Sequence, residues 1–283
     1  MIGNTRQVEL EEAYDPEVGR ARGVLRGSVP EGRMKHTRRL PAPDVAAFVA
    51  HYWSVSWDLR GHDPHVAETL PHPNIHLVFL ENEVAVQGVP RSKFTVTLEG
   101  RSSVFGVKFR PGGFRPFYGA AVSKLAGERV AARAFFGDEV LGLAEVLLGS
   151  AEDEEKLHAA NVFLRARLPE PDASILQVSD LVEQILRDPS ICTVDELAAR
   201  TGLQKRSLQR LFSQYVGASP KWVIRRYRLH EALERLHAGG CVECADLAAE
   251  LGYFDQAHLI NDFKSIVGLT PTQYQKLVKR PET

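Results

Sequence analysis

Two near-copies of one pattern lie between Thr193 and Tyr274, and they restrict the second half of this chain to a small set of folds. Asp195-Glu196-Leu197-Ala198-Ala199-Arg200-Thr201-Gly202-Leu203 is echoed by Ala245-Asp246-Leu247-Ala248-Ala249-Glu250-Leu251-Gly252-Tyr253, with matches at an offset of 50. After the glycine the offset becomes 51, pairing Leu208 with Leu259, Phe212 with Phe263, Gly217 with Gly268 and Pro220 with Pro271. A repeat this regular is one supersecondary unit used twice.

Each unit reads as helix, turn, helix. Thr193 with Glu196 three residues on forms a capping box, so a helix starts at Val194. Ala198 is small where a second helix crosses, and Gly202 permits the left-handed turn that ends the first. Leu208, Leu211 and Phe212 recur at helical spacing and turn inward. Gly217 stops the second helix, and Ser219-Pro220 starts an 18-residue joining helix, Pro220 to His237, with proline at a tolerated first-turn position. With Gln204 just before the second helix, Lys205, Arg206, Gln209 and Arg210 fall on its free face, near the end that enters a major groove in helix-turn-helix proteins. Arginine bonds guanine O6/N7 in bidentate fashion, and glutamine does the same to adenine. From Lys205 to Arg228 there are seven basic residues and no acidic one: Lys205, Arg206, Arg210, Lys221, Arg225, Arg226 and Arg228. That run is read as a nucleic-acid-facing surface.

These residues resemble the AraC/XylS family of bacterial transcription regulators. The resemblance is carried by Leu208-x-Arg210-x-Phe212, Gly217-x-Ser219-Pro220-x-Trp222, Arg228-Leu229, Ala232, Leu247-Ala248-x-x-x-Gly252-Tyr253-x-Asp255, Phe263-Lys264 and Gly268-x-Thr270-Pro271-x-x-Tyr274. It implies that the positions of Arg206, Gln209 and Arg210 read bases. The second unit departs from the family, with Asn261 where an arginine is usual and Ala257 and His258 beside it, so its helix is chemically poorer. The DNA-contacting set expected is Lys205, Arg206, Ser207, Gln209, Arg210, Gln256, Ala257, His258, Asn261 and Lys264. The joining helix, at about 1.5 Å per residue, spans about 27 Å, near the one-turn spacing of successive grooves.

The remaining chain reads as a second, β-rich domain. At 283 residues and 44% apolar content, two domains with real cores are expected. Residues 1–35 are polar and interrupted by Pro16 and Pro30, an irregular lead-in. Residues 43–49 read as one short helix. Strands are expected at 51–57, 66–70, 75–80, 83–88, 93–98 and 103–109, spaced as in a small barrel or sandwich. Arg110-Pro111-Gly112-Gly113-Phe114 lacks the pattern of a nucleotide loop and reads as a turn into a short helix. Trp53 and Trp57 share strand parity with Val55, filling the barrel or lining a ligand pocket. Helices follow from Asp138 to Leu148 and from Glu152 to Leu168, the second with Leu157, Asn161, Leu164 and Leu168 at seam spacing. Pro169-Glu170-Pro171-Asp172 marks the boundary, and Ser174 to Arg187 opens the C-terminal domain.

Stretches such as Val104-Phe105-Gly106-Val107-Lys108-Phe109 and Pro71-His72-Pro73-Asn74-Ile75-His76 resemble the sensor half of one AraC-type subfamily. This implies a cupin-like domain that senses a small-molecule effector, and a homodimer formed through helices such as the 157–168 seam. The fold class expected is therefore α+β: a sensor domain at 1–150, a helical connector at 151–171 and an all-α DNA-binding domain at 172–283.

Several chemistries are weighed against this. His72 and His76, with Glu81 or Glu83, invite a metal reading, but residues four apart on a strand are about 13 Å apart and a cupin His-x-His is absent, so no metal is assigned. Cys241-x-x-Cys244 is half a zinc or redox motif without a second pair. Cys244 reads as a core residue, and with Cys192 the three cysteines suggest a reducing compartment. Net charge is −1, and residues 172–283 balance 14 basic against 14 acidic side chains, so DNA binding rests on a local patch. No signal pattern or transmembrane run is present, placing the chain in the cytoplasm and off the membrane. The expected function is a transcription regulator and activator acting on double-stranded promoter DNA with RNA polymerase, without cofactor or catalysis. The alternative is a metal- or small-molecule-dependent barrel enzyme carrying a DNA-targeting domain.

Overall fold

The computed structural model describes residues 11–14, 24–26, 32–170, 172–238 and 243–278. Among the described residues, ten strands form two sheets. They are β1 Glu11–Tyr14, β2 Val24–Arg26, β3 Met34–Arg39, β4 Val49–Asp58, β5 His65–Thr69, β6 His76–Leu80, β7 Glu83–Gln87, β8 Phe94–Leu98, β9 Arg101–Phe109 and β10 Arg129–Ala131. The large sheet runs β1-β3-β4-β9-β6-β7-β10 and the small one β2-β5-β8. Six of these strands fall where alternation and turn residues place them. The lead-in is corrected at its described residues, because β1 pairs parallel with β3 and β2 pairs with β5; residues 1–10, 15–23 and 27–31 of it lie outside the described residues. Too short to show a pattern of their own, these strands exist because an edge of each sheet accepts them. The helix expected at 43–49 is corrected too. Turn bonds from Val45 and Ala46 N–H to the Ala42 carbonyl are followed by Val49 N–H to Val45, where β4 begins.

The two faces of the large sheet have different fates. One carries Tyr52, Leu77, Phe79, Val86, Phe105 and Val107 into a core completed by α3 (Glu139–Gly149) and α4 (Asp153–Arg165). Short helices α1 (Arg115–Tyr118) and α2 (Arg133–Phe136) precede them, and Phe114, Phe117 and Phe136 pack as an aromatic cluster. Gly112, at φ +86°, makes the turn after β9 that the glycine pair predicts. The opposite face of the sheet looks toward the small sheet, where Met34 and Trp57 meet Ala67, Leu59 and Leu98.

The 157–168 seam faces inward, correcting the expectation that it binds a second copy. Leu164 is buried in the sheet-and-helix core with Ala160 and Phe163. Asn161 Oδ1 accepts hydrogen bonds from Ala42 N–H at 3.0 Å and Tyr52 O–H at 2.8 Å. A seam pattern reports an apolar stripe and not whose surface covers it.

The C-terminal half is helical: α5 Ala173–Arg187, α6 Val194–Thr201, α7 Lys205–Leu211, α8 Pro220–His237, α9 Cys244–Glu250, α10 Gln256–Val267 and α11 Pro271–Val278, with a π-turn at Phe212–Val216 after α7. The halves share cores. Ile175 packs among the N-terminal aromatics, and Leu25 and Leu70 pack with Leu229, Leu233, Phe263 and Tyr274. Ser179 Oγ donates to the Pro111 carbonyl at 2.8 Å, and Tyr274 O–H to the Leu25 carbonyl at 2.9 Å. Among the described residues no helix is long and apolar enough to cross a membrane.

Candidate nucleic-acid interface

Local chemistry sets the first helix pair. Thr193 Oγ1 accepts from Glu196 N–H at 3.2 Å, and the Glu196 carboxylate accepts from Thr193 N–H at 2.8 Å, so the capping box is complete. Gly202 turns the chain at φ +67°. Leu197, Leu208 and Phe212 are buried together with Val223 and Ile224 of α8. That leaves Lys205, Arg206, Gln209 and Arg210 exposed along α7, with Ser207 half-buried. Lys205 is ion-paired with Asp195 of α6, so it meets an anion only by exchanging that partner.

The second pair is built on the same plan with other ends. Asp255 accepts from His258 N–H at 2.7 Å and caps α10, a signal stronger than anything opening α7, whose Gln204 makes no side-chain cap. Leu259, Asp262, Phe263 and Val267 are buried, while Gln256, Ala257, His258, Asn261 and Lys264 are exposed. Each residue of the expected contact set therefore lies on the outward side of α7 or α10, apart from half-buried Ser207. Cys244 is buried with its sulfur 3.5 Å from Thr272 Oγ1, whereas Cys241 lies outside the described residues. Gly252, at φ +65°, has no room for a Cβ, which would stand 2.3 Å from Cys192 Sγ. The turn of the second unit thus seats directly on the loop entering the first.

The basic run divides in a way that counting charges does not reveal. Lys205, Arg206, Arg210, Lys221 and Arg225 are exposed, but Arg226 is buried and Arg228 half-buried. Arg226 stacks over Trp222 at 4.7 Å, and its burial pushes its pKa down to about 10. Arg228 stacks over Tyr253 at 3.7 Å. Arg225 is ion-paired with Asp262, which is 3% exposed and also accepts from Tyr253 O–H at 3.0 Å. The Asp262 carboxylate raises the Arg225 guanidinium above its ordinary value. Two arginines of α8, Arg225 and Arg228, thus fasten it to the second unit, while Arg226 packs against Trp222 of α8 itself. No sequence signal separates them from DNA-facing arginines, because all lie on a helix whose sides are both occupied.

Two of the histidines weighed for metal have other partners. His76 Nδ1 lies 3.2 Å from Trp53 Nε1, and His72 stacks on His230 of α8 at 4.4 Å.

Two helix pairs of one plan, joined rigidly by one long helix and each baring the outer face of its second member, define a tandem helix-turn-helix protein. The comparisons agree. Residues 197–277 match the family described as "Helix-turn-helix domain", and residues 37–131 match a "Domain of unknown function (DUF6597)". The C-terminal region is a helix-turn-helix domain of the AraC type. The chain is 31% identical over 102 residues to the HTH-type transcriptional regulator YbfI of Bacillus subtilis, covering 36% of each. It is 29% identical over 103 residues to the probable transcription factor PqrA of Proteus vulgaris, covering 36% of this chain and 83% of that one. A regulator from Haemophilus influenzae is 32% identical over 85 residues, 30% of this chain and 28% of that protein. The chain thus spans 28–36% of the length of these first curated relatives, PqrA apart. Among solved structures, ToxT from Vibrio cholerae aligns with a TM-score of 0.40 at 11% identity, over 77% of this chain and 99% of that one.

Proposed function

We propose that this protein is a transcription regulator that reads two successive major grooves with α7 and α10, residues 172–283 forming the DNA-binding part. The observation that carries this is the shared outward exposure of Arg206, Gln209 and Arg210 on α7 and of Gln256, His258, Asn261 and Lys264 on α10. Each side chain has a chemistry that suits base edges or phosphates. The 18 residues of α8 span about 27 Å, which suits one turn of duplex. Residues 1–150 are proposed as the sensing part and 151–171 as the connector; Leu25, Leu70 and Pro111 give that part direct contact with the helices it would control. Activation through RNA polymerase in the cytoplasm is the mode proposed, in keeping with the relative named as the transcriptional activator AarP. The homodimer proposed uses apolar side chains that α3 and α4 leave exposed, Leu141, Val146 and Val162, and not the buried seam.

Footprinting of the full chain on a selected duplex tests this reading. Protection of two segments one turn apart on one face is expected. Equal affinity for selected and random duplexes overturns it.

A further inference from the structure

The large sheet carries, on the face that looks toward the small sheet, a row of basic side chains that the DNA-binding reading does not use. Sheet register assembles it. His51 of β4 is paired with Lys108 of β9, and Lys108 with His76 of β6, so three neighbouring strands project three nitrogen bases from one level of one face. Arg38 of β3 pairs with Trp53 and reaches across to His51 Nε2, with Nη2 at 2.9 Å and Nε at 3.3 Å. His36 follows two residues before Arg38 on the same face. His51 and Arg38 are buried, and Lys108, His76 and His36 are half-buried. Among the described residues no carboxylate bonds to or pairs with His51, His76 or Lys108.

The hydrogen bonds fix what this row offers. A guanidinium only donates, so His51 Nε2 accepts and its proton sits on Nδ1. Trp53 Nε1 also only donates, so His76 Nδ1 accepts at 3.2 Å and its proton sits on Nε2. Gly106 makes this possible: a Cβ there would stand 2.1 Å from the Trp53 ring, so only glycine lets the indole lie against β9 and reach His76. The row therefore presents two imidazole N–H donors and an ammonium, with a guanidinium alongside. Burial, and then repulsion by Lys108 and Arg38, push His76 down to about 3; burial, and then Arg38, push Lys108 down to about 7. Holding the Lys108 ammonium half-buried against two imidazoles costs free energy that an anion beside it repays.

We propose that His51, Lys108 and His76, with Arg38 alongside, form a binding site for an oxyanion, the carboxylate or phosphate group of a small molecule. This deepens the sensing reading of residues 1–150 by naming the chemical class such a molecule carries.

Thermal unfolding of the full chain tests it, with inorganic phosphate or succinate titrated against chloride at matched ionic strength. A rise in Tm in either oxyanion is expected, because a ligand held by the folded state stabilises it. A rise in phosphate alone assigns the site to phosphoryl groups, and one in succinate alone to carboxylates. No rise in either overturns the proposal. Lys108→Met is expected to melt at or above the wild type without added anion, since it removes a half-buried charge beside Arg38, and to lose at least about tenfold in anion affinity. Lys108→Arg is expected to recover the response. A Lys108→Met variant that keeps the wild-type anion response refutes the site. Calorimetry of the wild type in two buffers of different ionisation enthalpy gives a second readout that needs no variant: proton uptake on anion binding supports the site, and its absence counts against it. DNA affinity is followed separately by anisotropy, so failure of the regulator reading leaves the melting response intact and is told apart from failure here.

Discussion

The Arg225–Asp262 pair makes an unequal prediction. The bridge joins α8 to α10, and its two ends differ in exposure: 46% for the Arg225 side chain and 1% for that of Asp262. Removing Arg225 strands a carboxylate in the interior with only Tyr253 O–H as a donor. Removing one partner of a fully buried pair costs about 3–5 kcal/mol; the nearby Arg226 cation and water reaching the vacated position reduce this to about 2–4 kcal/mol for Arg225→Ala. Asp262→Ala leaves a half-exposed guanidinium that water solvates, and its main penalty is the lost acceptor of buried Tyr253, about 1–3 kcal/mol. The exposed partner is therefore the costlier one to delete. The double variant Arg225→Ala/Asp262→Ala should be more stable than Arg225→Ala alone, because no charge remains stranded. Urea unfolding of the four proteins measures this. Anisotropy then compares a two-groove duplex with a half-site containing only the bases of the first unit. Both single variants should lose affinity for the full site and little for the half-site. If Asp262→Ala is the more damaging, or if both sites weaken equally, the bridge does not set the geometry of the pair.

Three further outcomes follow from exposure and charge. Arg206→Ala or Arg210→Ala should cost about 1–3 kcal/mol on the selected site and relax preference at one or two base pairs; equal losses on random DNA would make them phosphate contacts only. Asn261→Arg adds a cation to the exposed face of α10 and should steepen log affinity against log salt by about 0.9, whereas an unchanged slope would mean that residue 261 points away from DNA. Folded His76 and His36 are lowered to about 3 and about 4, against 6.5 when unfolded, so between pH 6.5 and those values the unfolded chain binds protons that the folded chain refuses. Stability should thus fall on acidification through that window, and the drop in urea midpoint from pH 7 to pH 5 should be smaller in His76→Gln; an equal drop would mean that His76 does not contribute.

Much of the C-terminal half could be read directly because its determinants are local. The Thr193–Glu196 capping box, the left-handed turn at Gly202 and the Ser219-Pro220 start each act within four residues of their own position, and the repeat supplied a second reading of the same unit. The outward sides of α7 and α10 followed from helical period once the inward leucines were known. Alternation likewise placed six strands, since a half-buried strand writes its faces into successive residues. Tertiary structure decided the rest. Whether a stripe such as Leu157 to Leu168 meets a partner or its own sheet depends on what lies opposite, and here Tyr52 and Ala42 meet Asn161. The arginines of α8 look alike in sequence, yet Asp262, Trp222 and Tyr253 turn three of them away from the solvent-facing role that their charge suggests. Arg38, His51, His76 and Lys108 are spread over 70 residues of chain. Only antiparallel register brings them to one level of one face, and register is fixed by the side chains on both faces of every strand in the sheet.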